Sequence, residues 1–278
     1  MPVRERWRGE KQDAAAGEGH PTLPDPGRAR VRSVIVGFVG SGSMAAAMAR
    51  GWKGEFDQML FSDSGSGRAA ELARELGGEA VSNAEIGGRA DLVVLAVKPA
   101  KLEEAAAEVA GAKVVLSLLG ATSLKAVAAV LPTAETHRVM PNVAVEVRRG
   151  VLCLSGPPSP VVREKLEVLG HVVELLDSEF DTATAVMGCA PAYLALAVEA
   201  IADAGAEDGL DAELARELVV ETTAGTAELL RVRHPADVRK AVASPGGSTE
   251  AGLEALDREG VREAFEAAVK ASLERMRG

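Results

Sequence analysis

Three short stretches carry residues whose types and spacing could do chemistry. The first is Gly40-Ser41-Gly42-Ser43-Met44-Ala45. Glycine at the first position permits a tight turn, glycine at the second lets an anion approach the backbone, and a small third residue lets a helix and a strand pack closely. A phosphate would rest on free N–H groups at the start of the helix that follows. The second stretch, Ser62-Asp63-Ser64-Gly65-Ser66-Gly67-Arg68, lies roughly 20 residues on, where a dinucleotide's adenosine ribose is read. Asp63 could accept from a ribose 2′-hydroxyl, which favours NAD. Ser62, Ser64, Ser66 and Arg68 could instead cradle a 2′-phosphate, which favours NADP. Both readings stay open, beside that of a solvated turn capping the next helix. The third stretch, ASPGGSTEAG from 243 to 252, breaks an alanine- and leucine-rich helical pattern with one proline, two adjacent glycines and two hydroxyls.

These residues need elements to position them. Ser33–Val39 is β-branched and apolar and ends at the glycine turn, and an alanine-rich helical run from Met44 to Trp52 follows. A second strand is expected over Gln58–Phe61, followed by a helix from Arg68 to Leu76. The continuous apolar run Leu92–Val97 suits a central parallel strand buried on both faces. Lys98 and Pro99 stand at its carboxyl end, where open α/β sheets bind ligands. Further strands are expected over Lys113–Leu118, His137–Val139, Val151–Leu154 and Val172–Leu176, with helices over Leu124–Leu131 and Val161–Leu169. From Asp181 onward apolar residues recur at intervals of three and four through Thr182–Ala204, Ala212–Leu230 and Val261–Met276, and no strand is expected. Asp177 or Ser178 is the expected cap of the first of these helices. The reading is an N-terminal Rossmann-like parallel-sheet domain over 33–176, followed by an all-α domain over 177–278. The helices carry apolar residues around much of their circumference, so a homodimer or higher homo-oligomer through them is expected.

Composition narrows the partners. The chain has 278 residues, 47% of them hydrophobic, and a formal charge of −10, which argues against nucleic acid or an anionic membrane as main partner. No uninterrupted apolar run approaches the length of a membrane span, so no membrane partner is expected. Cys153 and Cys189 form neither a disulfide framework nor a metal-ligand spacing; a reducing cytoplasm is the expected compartment and no metal is expected. Residues 1–32 mix both charge signs with Gly and Pro and read as a disordered extension, or an over-long gene start, outside the fold. Between Ser178 and Ala215 there is no Lys, Arg or His. His20 falls in the extension, and His137, His171 and His234 stand at unremarkable element ends. The chemistry therefore looks like hydride transfer with little acid–base help from side chains.

The ordered motifs VGFVGSGSMAAAMA (36–49), LAVKP (95–99), RVMPN (138–142), MGCAPAY (187–193), EAIADAGAEDGL (199–210) and SPGGST (244–249) resemble those of the pyrroline-5-carboxylate reductases. The glycine turn and the VKP step occur in other nucleotide-binding reductases, whereas the PAY helix, the ADAG…GL turn and the SPGG loop together are more specific. The resemblance covers about residues 34 to 276. It implies reduction of the cyclic imine 1-pyrroline-5-carboxylate to L-proline with NADPH or NADH. A ring imine is protonated from solvent, so positioning carries most of the catalysis. By the same resemblance Ser248 and Thr249 hydrogen-bond the small-molecule carboxylate substrate, with Gly246 and Gly247 allowing close backbone approach. Gly40, Ser41, Gly42, Ser43, Met44, Ser62, Asp63, Asn83, Ala96, Val97, Lys98 and Pro99 then line the cofactor site. Three places depart from the family's pattern. Met187-Gly188-Cys189-Ala190 stands for Ser-Gly-Ser-Gly, Val143-Ala144-Val145 for Thr-Pro-Ala, and Gly120-Ala121 for Ala-Gly. These changes fit either a drifted pocket with the same activity or a paralogue acting on another imine or ketone. A non-catalytic nucleotide-binding regulator is the reading from outside the enzymes.

Overall fold

Strand and helix alternate from the first element onward in the computed structural model, which describes residues 34–277. In chain order they are β1 (Ile35–Val39), α1 (Ser43–Gly51), β2 (Gln58–Ser62), α2 (Arg68–Leu76), β3 (Glu79–Ala80), α3 (Asn83–Arg89), β4 (Leu92–Leu95), α4 (Leu102–Glu108), β5 (Val114–Ser117), α5 (Leu124–Val130), β6 (Glu135–Pro141), β7 (Gly150–Ser155), α6 (Pro160–Val168) and β8 (Gly170–Glu174). The reading of residues 1–32 as an extension lies outside the described residues.

The eight strands form one sheet in the order β3-β2-β1-β4-β5-β6-β7-β8. Period-two alternation splits the apolar side chains between its faces. Leu92 and Val94 of β4 join Phe38, Trp52 and Phe61 on one side, while Val93 and Leu95 join Leu60, Ile86 and Val115 on the other. The few aromatics are concentrated on the first face, where Phe38 and Phe61 stack with centroids 5.2 Å apart and Trp52 lies 6.1 Å from Phe38. Pairing is parallel from β3 through β6, but β7 runs antiparallel to β6. The reason is the connection: only a short 3₁₀ turn at Val143–Val147 joins them, too little chain for a crossover. β8, reached through α6, is parallel to β7. The two-residue β3 was below what periodicity can signal.

Beyond the sheet all described elements are helical: α7 (Phe180–Ala183), a π turn at Thr184–Gly188, α8 (Ala190–Glu207), α9 (Ala212–Leu230), α10 (Pro235–Val242), α11 (Ser248–Arg258) and α12 (Val261–Arg277). α8 and α9 pair along their lengths, and α12 returns to α7 and the π turn. There the Tyr193 hydroxyl shares a hydrogen bond of 2.6 Å with Ser272 Oγ. The π turn ends shortly before Pro191, which lacks an N–H, and the N–H of its C-cap Cys189 donates to Thr184 O at 3.2 Å.

Two expectations are corrected here. Asp177 does not cap the helix after it. Its carboxylate instead accepts from Arg138 Nη1 at 3.0 Å and from the Leu124 N–H at the start of α5, while Glu179 accepts from the Leu176 N–H. A stretch of membrane-spanning length also exists: the helical run Asp177–Glu207 contains an 18-residue window of mean hydropathy 1.7, of which 11% is buried. Unbroken apolar residues do not mark it, because Gly188, Pro191, Glu199 and Asp203 interrupt the run. Its exposed side chains include Leu194, Leu196 and Ile201.

Candidate active site

Strand order reverses between β1 and β4, which both neighbour each other and continue outward in opposite directions. At such a switch point the loops at the strands' carboxyl ends part and leave a crevice. A cleft of about 610 Å³ opens here, lined by Gly40, Ser41, Gly42, Asp63, Asn83, Ala96, Val97 and Lys98 among others.

The glycine turn forms its floor. Gly40 has φ +96°, and a Cβ there would stand 2.6 Å from the carbonyl oxygen of Ala96, so no other residue fits without moving β4's exit. Its N–H donates to Ser62 O at 3.2 Å, and Ser41 Oγ donates to the same oxygen at 2.9 Å. Gly42 precedes α1 with no side-chain cap and faces open space. The N–H groups of Ser43, Met44 and Ala45, in the first turn, have no acceptor within the helix. An uncapped helix start over a Cβ-free surface is what a pyrophosphate requires, so these residues fit a dinucleotide.

The remaining expected residues take different positions. Ser62 is buried beneath the cleft, its hydroxyl bonded to Phe38 O and Asn83 Oδ1. Asn83, on the wall, also donates through Nδ2 to Glu108. Asp63 turns toward its own loop. Oδ1 accepts from the N–H groups of Gly65 at 2.7 Å and Ser66 at 3.0 Å, and Oδ2 from the N–H of Ala69 at 2.7 Å and from Ser66 Oγ at 3.1 Å. The Ala69 N–H is the largest influence holding its carboxyl below the usual aspartate range, despite some desolvation. Lys98 is exposed on the rim, and Pro99, like Ser43, Met44 and Ser62, is not part of the lining. Ser64, Ser66 and Arg68 also line the cleft. Sequence reasoning missed Lys101, Glu104 and Glu108, which line the opposite wall. Their spacing of three and four residues, from the 3₁₀ turn Pro99–Lys101 into α4, was the available signal. Lys101 Nζ pairs with Glu104 at 2.6 Å.

The SPGGST loop lies elsewhere, at the start of α11. No residue beyond Glu108 lines the cleft. Gly246 has φ +71° and its N–H donates to Glu250 at 2.6 Å, while the Gly247 N–H donates to Ser244 O at 2.9 Å. The glycines therefore shape the loop rather than offer donors. The open donors are the first-turn N–H groups of Ser248, Thr249 and Glu250 and the two hydroxyls. Two of the departing stretches are brought together, since Asn142 Nδ2, beside Val143–Val145, donates to Met187 O at 3.3 Å. At the third, Ala121 takes a left-handed φ of +51°.

Comparison with known proteins agrees with this architecture. Residues 177–278 match the family model for pyrroline-5-carboxylate reductase dimerisation, and residues 35–120 match that described as NADP oxidoreductase, coenzyme F420-dependent. The chain is 37% identical to the pyrroline-5-carboxylate reductase of Thermus thermophilus over 216 residues, 75% of this chain and 82% of that one. It is 35% identical to that of Synechocystis, over 69% and 76% of the two chains. The solved 1-pyrroline-5-carboxylate reductase of Streptococcus pyogenes superposes with a TM-score of 0.78 at 29% identity, covering 87% of this chain and 97% of that one. A Plasmodium falciparum pyrroline carboxylate reductase solved with NADP bound shares the fold, with a TM-score of 0.75 at 23% identity. With nucleotide cleft, helical half and sequence in agreement over most of its length, the chain belongs to the pyrroline-5-carboxylate reductase family.

Proposed function

We infer that this chain reduces 1-pyrroline-5-carboxylate to L-proline using NAD(P)H. The observation that carries the reading is the 37% identity over 216 residues, 82% of the Thermus enzyme, a stretch longer than either half of this chain. The bound nicotinamide nucleotide supplies the hydride that adds to the imine carbon. The chain's own residues have binding and orienting to do. Gly40, Gly42 and the first turn of α1 hold the pyrophosphate, and Ala96–Lys98 border the path toward the nicotinamide. The first turn of α11, with Ser248 and Thr249, offers N–H and O–H donors to the substrate carboxylate, favoured by the helix dipole. Because solvent can protonate a ring imine, the absence of Lys, Arg and His between Ser178 and Ala215 costs the reaction nothing essential.

In this reading 33–176 is the nucleotide-binding domain and 177–278 the substrate-binding and dimerisation domain. The clamp loop and the cleft share no lining residues within one chain. A second copy, docked through the exposed apolar faces of α8 and α9, is what brings them together. Free thiols at Cys153 and Cys189 fit a reducing cytoplasm.

The test is direct. Purified chain is given pyrroline-5-carboxylate with NADPH or NADH, and both nucleotide oxidation and proline formation are followed. Turnover to proline is expected. No proline at saturating substrate with either nucleotide overturns the reading, and turnover of other cyclic imines alone would assign the drifted Met187–Ala190 stretch to a different substrate.

A further inference from the structure

Three side chains join the end of β2 to α3 and α4 along one wall of the cleft. The Ser62 carbonyl receives the glycine turn, through the Gly40 N–H and the Ser41 hydroxyl. The Ser62 hydroxyl meets Phe38 O at 3.2 Å and also Asn83 Oδ1, and Asn83 Nδ2 donates to Glu108 Oε2. Asn83 is the first residue of α3, but that helix does not need it as a cap, because Ser82 and Glu85 form a complete capping box there. Its amide is left to the cleft, which it lines together with Glu108.

What the amide presents to the cleft depends on which way round it is held. A hydroxyl both donates and accepts, so Ser62 suits either end of an asparagine. It can donate to Oδ1, or donate to Phe38 O and accept from Nδ2. The carboxylate of Glu108 has no such freedom. It only accepts, so it takes Nδ2 and turns Oδ1 back to Ser62. One Nδ2 hydrogen remains, and the described residues hold no acceptor for it. Asn83 therefore faces the cleft as a donor. Helix stability gives Glu108 no reason to be acidic. It ends α4, where a negative charge opposes the helix dipole. It is exposed, and among the described residues Asn83 Nδ2 is its one side-chain partner.

We propose that Glu108 is a positioning residue for the nucleotide: it fixes the Asn83 amide so that the remaining N–H is offered to an acceptor atom in the adenosine half. That half of a dinucleotide lies beside the end of β2, where Ser62 holds the other end of the amide. This rests on reading the cleft as the nucleotide site of the reductase. The charge of Glu108 alone predicts the opposite sign, since a carboxylate beside a polyanionic nucleotide weakens binding. The two effects are therefore separable by the direction of the change.

The test is a double-mutant cycle. NADPH and NADH are titrated calorimetrically, with no imine present, into the purified full-length wild type, Glu108→Ala, Glu108→Gln, Asn83→Ala and the Glu108→Ala/Asn83→Ala pair. Loss of one neutral hydrogen bond corresponds to roughly a two- to tenfold rise in dissociation constant, and that rise is expected in Glu108→Ala. Glu108→Gln, whose Oε1 still accepts from Nδ2, is expected to keep most of the affinity. With Asn83 already replaced by alanine, Glu108→Ala is expected to have no further effect. The thermal midpoint of nucleotide-free Glu108→Ala should stay close to that of the wild type, because the lost contact is exposed and a charge unfavourable to the helix goes with it. Tighter binding in both Glu108 variants would overturn the proposal, since charge repulsion would then be what the residue contributes. Unchanged affinity in Glu108→Ala would do the same, as would a loss of equal size with and without Asn83. A chain that shows the coupling but makes no proline refutes only the substrate reading, and one that makes proline without the coupling refutes only this proposal.

Discussion

Thr249 and Ala121 each carry a consequence that a single substitution exposes. Thr249→Ala removes one donor from the first turn of α11 and leaves the nucleotide cleft untouched. A hydrogen bond to a charged group is worth about 1.5–3 kcal/mol, so KM for pyrroline-5-carboxylate should rise at least about tenfold with the dissociation constant for nucleotide unchanged. An equal loss of nucleotide affinity would place Thr249 outside the carboxylate clamp. Ala121 is held at φ +51°, a conformation that costs an L-residue about 1–2 kcal/mol. Ala121→Gly removes that strain and adds a smaller cost in unfolded-chain entropy of about 0.5–1 kcal/mol. The net gain, about 0.5–1 kcal/mol, should raise Tm by about 2 °C, measurable by calorimetry. Legibility at this scale followed how much one residue type determines. Gly40 was readable because only glycine can make that turn against Ala96. The inverted Gly120-Ala121 pair was readable as a departure, but its backbone strain was not. Asp63 was readable only as a set of alternatives, since its type is the same whether the carboxylate faces the ribose or its own loop; of these the turn capping the next helix is the one its bonds to Gly65, Ser66 and Ala69 make. Lys101, Glu104 and Glu108 were missed because they belong to an ordinary helix face without a motif.

Among the elements, the joint between β6, α5 and α7 stands out. Arg138 is buried, donates to Asp177 at 3.0 Å, lies 3.6 Å from Asp181 and stacks its guanidinium 4.4 Å from the centre of the Phe180 ring. Asp177 also accepts from the Leu124 N–H, so one carboxylate ties three elements. Removing one partner of a buried pair costs about 3–5 kcal/mol, and the partial exposure of Asp177, 33%, with Asp181 still near, reduces this. Asp177→Ala should therefore destabilise by about 2 kcal/mol, read as a lower urea midpoint at unchanged slope. A change below about 0.5 kcal/mol, the range of ordinary surface sites, would show that the joint does not hold these elements. The buried strands β1, β2, β4 and β5 were legible in the sequence because continuous apolar runs flanked by turns leave little else possible. The reversal at β7 was not, since apolar pattern is silent about direction and only the shortness of the 142–149 connection determines it. Helix α10, small and exposed, gave too weak a period to be seen, although Pro235 and the cap from His234, whose Nδ1 accepts from the Ala236 N–H, mark its start.

For the molecule as a whole, the question is what covers the helical half. Leu196 of α8 is 64% exposed and Ile201 61%, within a segment matched by a dimerisation model. Burying such side chains favours association by about 1.5–3 kcal/mol each. Leu196→Lys should shift the chain from oligomer toward monomer in sedimentation at micromolar concentration. If a second copy supplies the clamp, turnover should fall in step with the oligomer fraction. A variant that stays fully associated and active would exclude α8 from the interface. The excess of apolar helix surface was legible in the sequence; its continuity with a stretch hydrophobic enough to span a bilayer was not, because Gly188, Pro191, Glu199 and Asp203 interrupt the apolar run. The hydrogen bond between Tyr193 and Ser272 has one more use. Tyr193 is the chain's one tyrosine, and Trp52 sits fully buried beneath the sheet. The chain's other tryptophan is Trp7, so in a Trp7→Phe variant each half carries its own optical label, tryptophan emission for the nucleotide half and the tyrosine near-ultraviolet signal for the helical half. Heating curves followed at both would reveal directly whether the halves melt together or in turn.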